Sequence, residues 1–152
     1  MISDAADQTV NDFVTAMVGG QLFGLPINRV QDVFLPERLT RVPLAPPEIA
    51  GILNLRGRIV TLVDLCYRLG LERRTQSAMA IGVELKGESY GLMIDSVGEV
   101  MSLEVAGFER NPVNLDSRLS AMTSGIYRLE GQLLLVLDVE RVLDIAPGAV
   151  AA

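Results

Sequence analysis

Few side chains in this sequence can do chemistry, and their spacing narrows the choice further. Histidine is absent and cysteine occurs once, at Cys66. That excludes acid–base catalysis by imidazole, Ser-His-Asp and Cys-His nucleophile systems, histidine metal ligands and a phosphoacceptor histidine. One cysteine cannot form an internal disulfide, and an unpaired cysteine is most often an inert buried thiol. What remains is a pair of aspartates, Asp64 and Asp138, each at the end of an aliphatic run, and Arg56 beside Gly57 in a polar turn. Two carboxylates could act as acid and base, and a guanidinium could hold an anion. No His, Lys or Cys recurs beside both aspartates. Each precedes apolar residues at helical spacing, so the plainer role for both is a helix N-cap. Arg56, taken alone, is a solvated turn residue.

The surroundings of these residues exclude further classes. The chain has 152 residues, a net charge of −6 and 49% hydrophobic residues. That length suits one domain with an ample core and rules out disorder as the main state. Nineteen acidic residues outnumber 13 basic ones, and the aromatics are few and scattered. A nucleic-acid binder would carry a basic stripe or a stacking platform, so none is expected. The first residues lack a basic segment followed by an apolar one, as a secretory signal requires. The longest apolar runs, 59–63 and 133–137, fall far short of the ~20 residues of a membrane span. A soluble cytoplasmic protein with no cofactor is expected, with one domain over 12–146 and flexible tails at 1–11 and 147–152.

The elements that position these residues come from an internal repeat. Residues 20–33 match 87–100 at an offset of 67, with six identities in 14 positions: Gly20/Gly87, Gly24/Gly91, Leu25/Leu92, Ile27/Ile94, Val30/Val97 and Val33/Val100. Composition alone would give roughly one. Asp32 and Glu99 are chemically alike at one further position. Residues 51–65 then match 125–139 at an offset of 74, because the segment between the two matches is longer in the second copy. Two similar halves result, 13–71 and 78–145, divided by a polar stretch.

Each half is mostly strand. Residues 13–18 and 79–85 are apolar runs ended by Gly19-Gly20 and Lys86-Gly87, which predict hairpin turns. The valines spaced by three fit either a helical turn or a bulged strand, and their β-branching favours strand. Gly-Ile-x-x-Leu-x-Gly followed by an aliphatic run predicts a second hairpin, and one short helix per half should follow Asp64 and Asp138. Several short strands with glycine turns suggest a small barrel per half. A unit of that size is marginal alone, so the halves should share an apolar interface with the matched valines beside it.

At this point the residues resemble the CheW family of bacterial chemotaxis adaptors. The stretch Gly51-Ile-Leu-Asn54-Leu55-Arg56-Gly57-Arg-Ile59-Val-Thr-Leu-Val-Asp64-Leu65 carries the resemblance. So do Phe23-Gly24-Leu-Pro-Ile27-Asn-Arg-Val30-Gln-Asp32 upstream and Pro43 and Pro46-Pro47 between the two. The resemblance implies a mainly β fold of two intertwined five-stranded SH3-like barrels with short helices, and no catalysis. It implies a non-catalytic adaptor that couples chemoreceptors to the histidine kinase CheA and is recruited to membrane-associated receptor arrays. Its partners would be the kinase's regulatory CheW-like domain and the cytoplasmic tip of the receptor. Carried over residue by residue, Val30, Asp32, Val33, Gly91, Val97 and Val100 would form the receptor cleft. Arg56, Gly57 and Ile59 would meet the kinase. Glu130 stands in the second half where Arg56 stands in the first, so the two lobes could recognise different surfaces.

Other readings remain beside this one. A CheW-like adaptor could serve pilus motility or another kinase pathway. A small barrel enzyme could use Asp64, Asp138 or Arg56. The valines, without the resemblance, would be core residues.

Overall fold

The hairpins follow from their turn residues. In the computed structural model, which describes residues 9–73 and 79–145, three two-residue turns have both residues at positive φ. They are Gly19-Gly20 (57° and 85°), Arg56-Gly57 (54° and 82°) and Lys86-Gly87 (53° and 81°). This turn matches the right-handed twist of the strands it joins. The strands are β1 (Val10–Val18), β2 (Gln21–Pro26), β3 (Val30–Phe34), β4 (Ile49–Leu55) and β5 (Arg58–Asp64), followed by helix α1 (Leu65–Leu69). The second half gives β6 (Met79–Leu85), β7 (Glu88–Ile94), β8 (Ser96–Glu104), α2 (Ser117–Met122), β9 (Thr123–Leu129), β10 (Gln132–Leu137) and α3 (Val139–Val142). Val10 and Asn11, expected in a tail, open β1 opposite Glu104 and Leu103. Residues 1–8 and 147–152 lie outside the described residues.

The strands form two five-stranded sheets, ordered β8-β1-β2-β10-β9 and β3-β6-β7-β5-β4. The repeat exchanges one order for the other: β1 corresponds to β6, β2 to β7, β3 to β8, β4 to β9 and β5 to β10. Each sheet therefore takes two strands from one half of the chain and three from the other. The expected barrel per half is not what forms. The halves are intertwined, through two parallel pairings between them, β2 with β10 and β5 with β7. Continuous pairing closes neither sheet among the described residues. Instead the chain leaving β8 returns at Glu109 to exchange two hydrogen bonds with Ile126 of β9 (both 2.9 Å), and the chain leaving β3 does the same from Thr40 to Ile52 of β4 (both 2.8 Å).

Alternation along the strands separates three cores. Val14, Ala16 and Val18 of β1 point into a large core shared by both sheets, together with Phe23, Leu25, Val63, Ile81, Val83, Leu92, Ile126 and Leu135. Phe13 and Leu22, on the other face of the first sheet, pack with Tyr127, Leu134 and Val136. Leu53, Val60, Leu62 and Ala80 do the same on the outer face of the second sheet. Most strands are thus buried on both sides, which is why the aliphatic runs are continuous.

Three short helices close one side of the shared core. Asp64 and Asp138 cap α1 and α3, accepting from the backbone N–H of Tyr67 and Arg141 (both 3.2 Å), as expected. The sequence reading missed α2, which accounts for the longer second connection. Its signal was present: Asp116 accepts from Arg118 and Leu119 N–H, and Leu119 and Met122 are buried three residues apart. Arg68 of α1 ties the halves together. Its guanidinium donates to the carbonyls of Val142 (2.9 Å), Arg141 (3.0 Å) and Asp144 (2.9 Å) at the end of α3 and lies 3.5 Å from Glu48.

Two outcomes follow. A fragment of residues 1–75 retains β3 without β6, its only sheet partner among the described residues, and β5 without β7, so it should not fold cooperatively. A sharp thermal transition with dispersed amide resonances would contradict this. Arg68→Ala strips three carbonyls of a charged donor and should cost about 2 kcal/mol, seen as a fall of about 5 °C in Tm. An unchanged Tm would show that water replaces the guanidinium without loss.

Candidate functional site

The valine spacing of three is a β-bulge in each edge strand. In β3, Val30 pairs with Val83, Asp32 with Gly82 and Val33 with Ile81, with a register shift between Val30 and Asp32. In β8, Val97 pairs with Ala16 and Val100 with Val14, with the matching shift. The extra residue lets both valines of each strand share one face, which strict alternation would forbid. Directly opposed residues project to the same side, and Val83, Ile81, Ala16 and Val14 all face the shared core. The four valines therefore continue that core's surface onto the two edge strands. Val30 and Val97 are half-buried and packed against the core, whereas Val33 is 38% and Val100 53% exposed.

Asp32 and Gly91 lie on the other face of the second sheet. Gly82 pairs with both. A Cβ on Gly91 would stand 3.0 Å from Phe34 and 3.2 Å from Leu62, so this glycine accommodates core packing. A Cβ on Gly82 would overlap Asp32 Oδ1, which is buried with no hydrogen-bond partner. In the second half the same bulge is built differently. Thr15 occupies the place of Gly82, covers Gly98, and donates its hydroxyl to the Glu99 carbonyl (2.7 Å). Glu99, the counterpart of Asp32, is exposed.

Arg56 and Gly57 form the turn between β4 and β5, where the Gly57 N–H donates to Asn54 Oδ1 (2.8 Å). Both turn residues are exposed. Arg56 holds φ 54°, a conformation that costs a non-glycine residue energy. Ile59 is 58% exposed and lines a groove of about 470 Å³ with Val42, Ile52, Arg58, Thr61 and Ser89. Val42, Ile52 and Arg58 were missed in the sequence. Ile52 and Arg58 stood within the motif, but Val42 arrives only because Thr40 bridges to Ile52. The matching place in the first sheet is occupied differently. There Gln21 donates its side-chain amide to the carbonyl of Leu133, the counterpart of Ile59 (3.0 Å).

The other chemical candidates are accounted for locally. Asp64 pairs with Arg73, and Asp138 with Arg141 at 3.5 Å, beside their caps. Cys66 is buried, its thiol lies 3.2 Å from the Leu71 carbonyl, and burial pushes its pKa up, away from the reactive thiolate. Among the described residues no group of His, Cys, Asp and Glu is placed to hold a metal ion. Those residues also include no helix long and apolar enough to cross a membrane.

Two interlocked sheets, an apolar rim on one edge strand of each, and a groove beside a cationic hairpin make up the candidate site. The chain belongs to the CheW-like domain family, whose family model matches residues 12–146. This is a family of chemotaxis scaffolding adaptors. The chain is 26% identical over 139 residues to chemotaxis protein CheW of Bacillus subtilis, covering 90% of this chain and 89% of that one. It is 29% identical over 116 residues to protein PilI of Pseudomonas aeruginosa, covering 74% of this chain and 65% of that one. Among solved structures it is similar to the crystal structure of the scaffolding protein TtCheW from Thermoanaerobacter tengcongensis. That match has a TM-score of 0.80 and 28% identity, over 89% of this chain and 88% of that one.

The valine pairs should separate on substitution. Val97→Glu forces a carboxylate against the shared core and should lose about 2 kcal/mol or more. Val100→Glu, over half exposed, should melt within a degree or two of wild type, a change of about 0.5 kcal/mol or less. Equal losses in calorimetry would show that both valines are core.

Proposed function

We propose that this chain is a non-catalytic chemotaxis adaptor that couples chemoreceptors to the histidine kinase CheA at membrane-associated receptor arrays on the cytoplasmic side. The observation that carries this reading is the pair of bulged edge strands. They bring Val30, Val33, Val97 and Val100 to the rim of one shared core, with exposure rising outward. Two such strips can flank an amphipathic helix and bury its apolar ridge, so the receptor tip binds there as a helix in a groove. Asp32 and Gly91 serve that cleft from behind, on the outer face of the second sheet. The kinase's regulatory domain, itself CheW-like, meets the opposite kind of surface. Arg56 and Gly57 present a rigid turn, and Ile59 with Ile52 and Val42 offers an apolar seat beside Arg58. The guanidinium of Arg56 pairs bidentately with a partner carboxylate.

The likeness to protein PilI supports a second reading, in which the same surfaces serve the kinase pathway of another motility system, such as pilus motility. Binding to the two candidate kinases in turn separates them.

Two exposed substitutions test the division of labour. Arg56→Glu should weaken binding of the kinase regulatory domain about tenfold or more through like-charge repulsion, leaving Tm and receptor-tip binding near wild type. Val100→Glu should weaken receptor-tip binding about tenfold or more by placing an unpaired charge in the buried contact, leaving kinase binding unchanged. A folded Val100→Glu variant that binds the receptor normally would move the cleft elsewhere. A folded Arg56→Glu variant that binds the kinase normally would return Arg56 to a solvated turn.

A further inference from the structure

Among the described residues, those other than glycine that hold a positive φ are Arg38, Leu44, Arg56 and Lys86. Arg38, Arg56 and Lys86 are exposed cations that water solvates, and Leu44 alone is apolar. Its φ of 64° belongs to a turn in which the Val42 carbonyl accepts the Ala45 N–H (3.3 Å). Pro43 takes the second place of that turn and Leu44 the third, where glycine or asparagine is the usual residue. The side chain gains nothing inside the molecule in return. Leu44 is fully exposed and packs with none of the three cores. One residue thus combines a left-handed backbone with an aliphatic side chain left in water, and asparagine or glycine there would avoid both.

The second half shows that the connection itself does not require this. Residues 39–44 and 108–113 match at an offset of 69, with Leu39 at Phe108, Arg41 at Arg110, Pro43 at Pro112 and Leu44 at Val113. The bridges from Thr40 and Glu109 anchor the two segments alike. Val113 is fully exposed too, but its φ is not positive. Its turn lies one residue later, with the Leu115 N–H donating to the Pro112 carbonyl (3.1 Å). Asn111 there folds its amide onto the carbonyls of Ser120 (3.3 Å) and Thr123 (3.2 Å). Its counterpart Val42 instead lines the open groove with Ile52, Arg58 and Ile59. Leu44 therefore stands on the turn whose first residue walls that groove.

We propose that Leu44 is an apolar anchor of the kinase-facing surface, entering an aliphatic pocket of the kinase while Val42 and Ile59 seat the contact beside it. This rests on the reading of the Arg56 turn and the Ile59 groove as the kinase contact, and it adds the chemistry of the partner. The partner's surface pairs an aliphatic pocket with the carboxylate that meets Arg56. Continuity with the groove selects this occupant, because a protein seated on Val42 reaches the same turn. Burial in the complex removes from water the apolar area that the free chain leaves there. Pro43 and the bond from Ala45 to Val42 hold the turn in advance, so little ordering is lost on binding.

The test uses the full chain and, as probe, full-length CheA. Leu44→Asn keeps the turn, because asparagine tolerates a positive φ, and removes the apolar side chain. It should weaken CheA binding about tenfold or more, as loss of a buried leucine does. The loss should be equal at low and high salt, with Tm at or above that of wild type. The loss from Arg56→Glu should instead shrink as salt rises. Leu44→Met, still apolar and unbranched at Cβ, should bind within about twofold of wild type. Val113→Asn should leave CheA binding unchanged. If Leu44→Asn binds CheA normally while Arg56→Glu binds weakly, the anchor is wrong and the kinase-facing reading stands. If Arg56→Glu and Ile59→Glu, both folded, also bind normally, the kinase-facing reading is wrong and the anchor falls with it. A fall in the Tm of Leu44→Asn would make Leu44 a structural residue and overturn the proposal. So would an equal loss of binding from Val113→Asn. Loss of self-association in sedimentation, with CheA binding kept, would give Leu44 to a second copy of this chain instead.

Discussion

Everything in this fold depends on one apolar core held between two sheets that exchange strands. Neither half of the chain can bury the inner faces of β1, β2, β6 and β7 by itself, because each of these strands has one of its two neighbours in the other half. The parallel pairings β2 with β10 and β5 with β7 stitch that exchange together, and Arg68 fastens its helical side by gripping the end of α3. Apolar area taken from water in the shared core is what favours the interlocked arrangement over two separate small domains. The functional surface is the margin of the same core. The inner faces of both sheets run on past the last fully buried strand, and the bulges in β3 and β8 keep the valines on that face where the strands reach solvent.

Much of this was legible in the sequence, and the limits of legibility are physical. The glycine pairs announced their hairpins because φ beyond +50° is cheap only for glycine and a few others. Asp64 and Asp138 announced helix caps because a carboxylate before an apolar i, i+3 pattern satisfies otherwise unpartnered N–H groups. The valines announced shared surface because they recur at one spacing in both halves. Strand partnership was not legible from residue types alone. A period of two, or a continuous apolar run, says that a strand is buried but not which strand lies beside it. The barrel-per-half expectation failed for that reason, and only the family resemblance supplied the intertwining. Gly51 and Gly125 recur for an equally hidden reason. A side chain at either would collide with the backbone of Thr40 or Glu109, and with Leu39 or Phe108, where the returning segment crosses β4 or β9. That contact joins residues on separate elements and has no local signature.

The candidate site shows the same division. Arg56, Gly57 and Ile59 sit together because a hairpin turn is a local structure, whereas Val42 joins them through a bridge that no neighbouring residue encodes. Asp32 and Gly91 belong to one row across β3, β6 and β7, but on the face away from the valines. For Asp32 alternation assigned no side, because the bulge resets the count within β3.

A duplicated scaffold constrains backbones more tightly than surfaces. Both halves must keep the bulge, since without it Val33 or Val100 would turn away from the shared core. The bulge leaves a space opposite the edge strand that can be filled from either side. In the first half the edge strand fills it with the Asp32 carboxylate over Gly82, and in the second the inner strand fills it with Thr15 over Gly98. The two solutions support the same backbone and the same apolar strip, but the first buries one oxygen of its acid whereas the second leaves its acid exposed. At the hairpins the same freedom appears as Arg56 against Glu130, and as an open groove at Ile59 against the Gln21 amide on the Leu133 carbonyl. Pseudo-symmetry thus fixes where the two lobes can be touched. The residues that differ between equivalent places decide what each can hold, and that lets a chain of two similar halves join two unlike partners.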